Sequence, residues 1–152
     1  TGGEPLLHVP FIQALASCVR LPIFLETNGT LDEALAECIE DISIISMDIK
    51  LPSVLSRPVW EAHARFLEIA RRKDVYVKLV VAAETEEAEV EKAALLAADI
   101  APCALFVLQP VTPYGGCSAP TPERLLHFQS IALSFLSDVR IIPQTHRMMN
   151  LL

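Results

Sequence analysis

Residues Ile42-Ser43-Ile44-Ile45-Ser46-Met47-Asp48-Ile49-Lys50 form an apolar, β-branched run that stops on a carboxylate and an ammonium. A run this continuous reads as a strand of a parallel sheet, buried on both faces by helices. Pro22–Glu26, Val75–Ala83, Ala104–Gln109 and Val139–Ile142 have the same character. Helical patterns fill the intervals. Pro10–Arg20 places Ile12, Leu15, Ala16 and Val19 on one face, and Leu31–Glu40 does so with Leu31, Leu35 and Ile39. Pro58–Arg72 carries Trp60, Ala64, Leu67 and Ala70; Glu86–Ala98 carries Val90, Ala94 and Ala97; Pro122–Leu136 carries Leu125, Gln129, Ala132 and Leu136.

Two helix starts are signalled. Thr30 and Glu33 have the Ser/Thr-x-x-Glu spacing of a capping box. Thr121 is placed as an N-cap with Pro122 at the first helical position. Helix and strand alternate through the chain, which predicts an α/β fold with right-handed crossovers. No internal boundary interrupts residues 1–152, so one domain is expected. The longest irregular stretch, Pro110–Pro122, follows a strand and reads as a lid or a plain loop.

Composition narrows the function. Of 152 residues, 52% are hydrophobic and 20% charged, and mean hydropathy is +0.41, the opposite of a disordered chain. A net charge of −7 repels phosphate, so no nucleic-acid partner is expected. No apolar stretch approaches the roughly 18 residues of a spanning helix, so no membrane partner is expected. Thr1-Gly2-Gly3-Glu4 has no leader character, which makes a cytoplasmic location the expectation. Cys18, Cys38, Cys103 and Cys117 are too widely spaced for a C-x-x-C motif and read as buried or inert thiols.

Parallel α/β folds bind ligands beyond the carboxyl ends of their strands. Polar residues gather at those ends: Glu26-Thr27-Asn28-Gly29-Thr30, Asp48-Ile49-Lys50, Gln109-Pro110 and Gln144-Thr145-His146, with Thr1-Gly2-Gly3-Glu4-Pro5 ahead of the first helix. Each alone has an ordinary structural reading. Asn28-Gly29 suits a turn, Asp48 and Lys50 a surface ion pair, and Gln109, Gln144 and His146 capped strand ends. Their shared placement points to a site.

Taken in order, Gly2-Gly3-Glu4-Pro5, Glu26-Thr27-Asn28-Gly29-Thr30 and Met47-Asp48-Ile49-Lys50 resemble motifs of the radical S-adenosylmethionine superfamily. Leu108-Gln109-Pro110-Val111-Thr112-Pro113 and Val139–His146 extend the resemblance, which is nearest to 7-carboxy-7-deazaguanine synthases and organic-radical-activating enzymes. It implies a partial parallel (β/α) barrel with about five units of a (β/α)6 barrel, the N-terminal units being absent. It implies ring contraction of 6-carboxy-5,6,7,8-tetrahydropterin in 7-deazapurine (queuosine) biosynthesis. The alternatives are a glycyl-radical activating enzyme or a non-catalytic α/β domain that binds a nucleoside or a partner chain.

The resemblance also assigns roles. Gly2, Gly3 and Glu4 would receive the amino group of S-adenosylmethionine, with glycine allowing close backbone approach. Asn28 would face the cofactor, and Asp48 and Lys50 its ribose and carboxylate. Gln109, Gln144 and His146 are candidates to contact a pterin-like small molecule. The family also needs a [4Fe–4S] cluster on three closely spaced cysteines; none of the four cysteines here has that spacing. Mg2+ is implied as well, with no residue of this chain assigned to it. The chain is therefore expected to be the C-terminal part of a longer enzyme and inactive alone. An exposed edge at Pro22–Glu26 is expected to pair with another copy, giving a homo-oligomer, or with the absent half.

Overall fold

The computed structural model describes residues 3–55, 58–113 and 118–145. Its strands are β1 (Phe24–Thr27), β2 (Ile44–Ile49), β3 (Asp74–Val81), β4 (Leu105–Pro110) and β5 (Val139–Ile141). Its helices are α1 (Val9–Cys18), α2 (Asp32–Cys38), α3 (Pro52–Leu55), α4 (Trp60–Ala70), α5 (Glu87–Ile100) and α6 (Pro122–Leu133), with 3-10 turns at Pro5–His8 and Ile39–Asp41. Neighbouring strands all pair in parallel, in the order β1-β2-β3-β4-β5.

That order decides where the helices lie. When every right-handed crossover steps to the adjacent strand in one direction, all the helices fall on one side of the sheet. The helices indeed touch in sequence: α1 with α2, α2 with α4, α4 with α5, α5 with α6. The core sits between this single layer and one sheet face. Leu25, Ile45, Met47, Ile49, Val77, Leu79, Phe106 and Leu108 meet Leu35, Phe66, Leu67, Ala93, Ala97, Phe128 and Ala132 there. Burying each large side chain of this set contributes roughly 1.5–3 kcal/mol.

The expectation of helices on both faces is therefore corrected, although β2 is buried on both. After the exposed Asp74, β3 alternates between buried and half-buried residues. Strand alternation and register put Glu26, Ser46, Asp48, Tyr76, Lys78, Val107, Gln109 and Arg140 on the face away from the helices. A sheet with helices on one side and a polar opposite face is the arrangement of an open (β/α) barrel, whose interior that face would line.

Local signals explain the starts of α5 and α6. Thr121 Oγ1 accepts from the Arg124 amide at 3.3 Å, capping α6, and Pro122 stands in its first turn. The box expected at Thr30 and Glu33 does not form. The Thr30 hydroxyl donates to Asn28 Oδ1 at 2.5 Å instead, and α2 starts at Asp32 with no side-chain cap. A capping box does start α5, where Glu86 and Glu89 bond each other's backbone amides.

On α4 the buried stripe is His63, Phe66, Leu67 and Ala70, rotated from the expected face; Trp60 and Ala64 are half-buried. The inert-thiol expectation holds for Cys38, whose thiol burial first, and Asp41 and Glu37 next, push up in pKa. Cys18 and Cys103 are exposed rather than buried, and Cys117 lies outside the described residues.

Candidate functional site at the carboxyl rim

The opening segment is tied to the end of β1 through one carboxylate. Glu4 Oε1 accepts from the Leu6 amide at 3.2 Å and from the Thr27 hydroxyl at 2.7 Å, and Oε2 accepts from the Asn28 amide at 2.8 Å. Gly3 adopts φ +90°, a conformation open to glycine, with no neighbour that a side chain would strike. Asn28 Oδ1 accepts from the Thr30 amide at 3.0 Å as well as from its hydroxyl, closing an Asx turn. The next residue, Gly29, also takes a left-handed conformation (φ +65°).

On the open face, charged groups alternate across three strands. Lys78 Nζ of β3 donates to Glu26 Oε1 of β1 at 2.8 Å and lies 4.0 Å from Asp48 Oδ2 of β2. Lys50 Nζ reaches the same Asp48 oxygen at 2.6 Å. Burial is the largest influence on Lys78 and acts to lower its pKa. The Glu26 hydrogen bond and the charges of Asp48 and Glu26 outweigh burial, and its pKa is raised, which keeps the ammonium charged. Asp48 Oδ1 and Ser46 Oγ, two residues apart on this face, are shielded from solvent and have no hydrogen-bond partner. An unsatisfied buried acceptor of this kind costs about 1–3 kcal/mol. It is a standing place for a donor.

A buried histidine joins the two rim segments from behind. His63 is fully enclosed; its Nδ1 lies 2.8 Å from the Gly29 carbonyl, and the Lys50 amide donates to its Nε2 at 3.0 Å. An Nε2 that accepts carries no proton, so the proton sits on Nδ1 and the ring is neutral. Burial, the largest cause, holds its pKa below the ordinary histidine value, against the opposing pull of the Gly29 carbonyl and Asp48.

The residues singled out in the sequence fall into groups. Glu4 and Asn28 are bonded, and Asp48 and Lys50 are paired one strand away. Asn28 and Lys50 also line a groove of about 960 Å³ that runs over the start of α4 past Trp60 and Arg65. Gln109 stands half-buried on the open face of β4, opposite Val80. Gln144 Oε1 accepts from the Thr112 amide at 3.1 Å, bracing the segments after β4 and β5. Gly2 and His146 lie outside the described residues. Sequence reasoning overlooked Lys78, Ser46 and His63. Lys78 could have been found, because a lysine inside a β-branched strand is costly unless paired.

No protein-family profile matches the chain. It is 41% identical over 98% of its length to the 7-carboxy-7-deazaguanine synthase of Geobacter sulfurreducens, spanning 61% of that protein. The enzyme of the same name from Methanocaldococcus jannaschii is 28% identical over the whole chain, which spans 66% of it. In structure, a radical SAM methyltransferase from Sphaerobacter thermophilus matches 89% of the chain, and 38% of that protein, at a TM-score of 0.51 and 18% identity. The chain is similar in sequence to these synthases and shares the fold of that methyltransferase. It spans about two thirds of the length of the curated relatives it matches.

The side chains present fit one of the groups that the resemblance implies. Asp48 Oδ1 can accept a hydroxyl, and Lys50 and Lys78 present ammonium groups for a carboxylate. Glu4 keeps lone pairs for an ammonium, since a carboxylate offers about four acceptor positions. These are the complements of a ribose and an aminoacyl moiety. An iron–sulfur cluster does not fit the described cysteines. Cys18 ends α1, Cys38 is buried in α2, and Cys103 precedes β4 at the opposite rim.

Proposed function

We propose that the chain forms the S-adenosylmethionine-facing rim of a radical enzyme that contracts the ring of 6-carboxy-5,6,7,8-tetrahydropterin to 7-carboxy-7-deazaguanine. On this reading residues 1–152 act as one domain, the C-terminal part of a longer polypeptide whose remainder holds the [4Fe–4S] cluster. The relatives' names and their greater length support it. The observation that carries it is Asp48: a buried carboxylate at a strand end, one oxygen held by lysine and the other without a donor.

When bound, the cluster and S-adenosylmethionine together supply a 5′-deoxyadenosyl radical. The chain's own residues bind, orient and exclude water. Asp48 accepts from the ribose hydroxyls. Lys50 pairs with the aminoacyl carboxylate, and Lys78, held charged between Glu26 and Asp48, adds to the positive side of the rim. Glu4, with the Gly2-Gly3 backbone, receives the amino group. Asn28 holds the loop that faces the cofactor through its Asx turn.

Gln109 and Gln144 meet the amide-like edge of the pterin. The Gln144 carbonyl already accepts from Thr112, so its amide NH2 is the group turned to substrate. His146 belongs to the same set. Among the described residues no cluster of three His, Cys, Asp or Glu side chains could hold a metal, so Mg2+ is assigned to none of them.

Calorimetric titration of the full chain with S-adenosylmethionine tests the reading. Asp48→Asn removes the charge and keeps the shape, and a hydrogen bond to a charged group is worth about 1.5–3 kcal/mol. Its affinity is expected to fall about 10- to 100-fold. Asp138→Asn, at the start of β5 and paired to Arg140, leaves it unchanged. Equal losses from both variants, or no binding by the wild type, contradict the reading.

A further inference from the structure

His63 contributes no surface to the rim, yet it bonds two backbone groups that the sheet has stopped serving. The β2–β3 ladder ends at the pair Ile49–Leu79, so the Lys50 amide lies one residue beyond it. The β1–β2 ladder ends at the pair Thr27–Met47, two residues before Gly29. Both orphaned groups find their partner in one imidazole rising from α4. The packing here, with the positive φ, favours glycine. A Cβ at Gly29 would stand 3.3 Å from His63 Nδ1 and 2.8 Å from Met47 Cγ.

An aliphatic side chain would fill this enclosed position at lower desolvation cost. A histidine with both nitrogens spent on backbone groups, one from each rim segment, does something that volume alone does not. We propose that His63 is a positioning residue for the cofactor rim. Its neutral ring locks the Asn28–Thr30 turn and the Asp48–Lys50 pair into one unit, so that both segments face the ligand together. The inference rests on the function proposed above, because the locked segments are the ones assigned to S-adenosylmethionine. The lock itself can be tested without it. Nothing at His63 touches the ligand, so its influence passes through Lys50 and Gly29.

The test uses His63→Gln and His63→Asn in the full chain. Glutamine reaches the position of Nε2 and keeps an acceptor for the Lys50 amide. Asparagine reaches only the position of Nδ1 and keeps the bond to Gly29. Hydrogen exchange of the Lys50 amide, taken relative to the Val77 amide inside β3, is expected to speed up about tenfold or more in His63→Asn, and to stay near wild type in His63→Gln.

Affinity for S-adenosylmethionine is expected to fall about tenfold in both variants, since each keeps one of the two bonds, while Lys50 exchange separates them. A merely structural histidine predicts that affinity and Lys50 exchange follow overall stability in both variants alike, and that result overturns the proposal. If the wild type fails to bind S-adenosylmethionine, the proposed function falls, and Lys50 exchange still judges the lock. Should neither variant fold, long-range 1H–15N spectra of the wild type decide: a protonated Nε2 overturns the lock, and a bare Nε2 with protonated Nδ1 upholds it.

Discussion

Replacing Gly29 by alanine perturbs the rim at its tightest point. The residue has φ +65°, where an L-residue pays roughly 1–2 kcal/mol. Its new Cβ would also lie 2.8 and 2.9 Å from Met47 Cγ and Cε and 3.3 Å from His63 Nδ1. Met47 is fully buried and cannot swing into solvent. Overpacking a closed site adds about 1–3 kcal/mol. The sum, about 2–5 kcal/mol, is a large share of the 5–15 kcal/mol typical of a domain. Urea unfolding should show the midpoint falling with the slope unchanged. Thermal unfolding should drop by about 2–4 °C per kcal/mol. Gly3→Ala is the control: φ +90° brings backbone strain, but nothing lies where the methyl would go, so only the first cost applies. A Gly29→Ala protein within about 0.5 kcal/mol of wild type would refute the packing argument.

His63 also gives a pH signature. Its folded pKa is lowered, so between the folded and unfolded values the unfolded chain binds more protons, and stability rises with pH. The contribution is present above the ordinary value of 6.5 and is lost as pH falls toward the folded value. Asp48 and Lys50, the charged groups that act on it, oppose each other. Wild type should lose more stability than His63→Gln between about pH 7 and pH 5 in urea titrations. Glu89→Ala breaks a formed capping box and should cost about 1 kcal/mol, whereas Glu33→Ala should be near neutral because no box forms there. β1 is an edge strand with Phe24 exposed, and Leu7, Phe11 and Leu21 are exposed near it in sequence. Light scattering should show self-association that Phe24→Lys weakens, as charges blunt open edges.

The strands and the polar residues at their carboxyl ends were legible because near-continuous apolar runs ending in polar residues mark both alike. The sidedness was not. The interior of a half-open barrel and a doubly covered sheet give similar runs when Val80 and Val107 share a face with Lys78 and Asp48. The Thr30 box failed because Asn28, two residues earlier, offers a nearer acceptor than the helix offers a donor. His63 was hidden because its value lies in two backbone groups brought to it by tertiary structure; helical periodicity sees only a polar residue on a nearly apolar face. Gln144 was found as a rim residue, but its bond to Thr112 crosses from one strand end to another and has no local trace.

Amide spectra of the full chain during titration with S-adenosylmethionine test the central claim most directly. The account predicts that the largest shifts fall on residues 26–30, 46–50 and 78, the carboxyl ends of β1 and β2 and the β3 lysine that reaches Glu26 and Asp48. Shifts confined to the opposite rim, around Asp74 and Cys103, would contradict it.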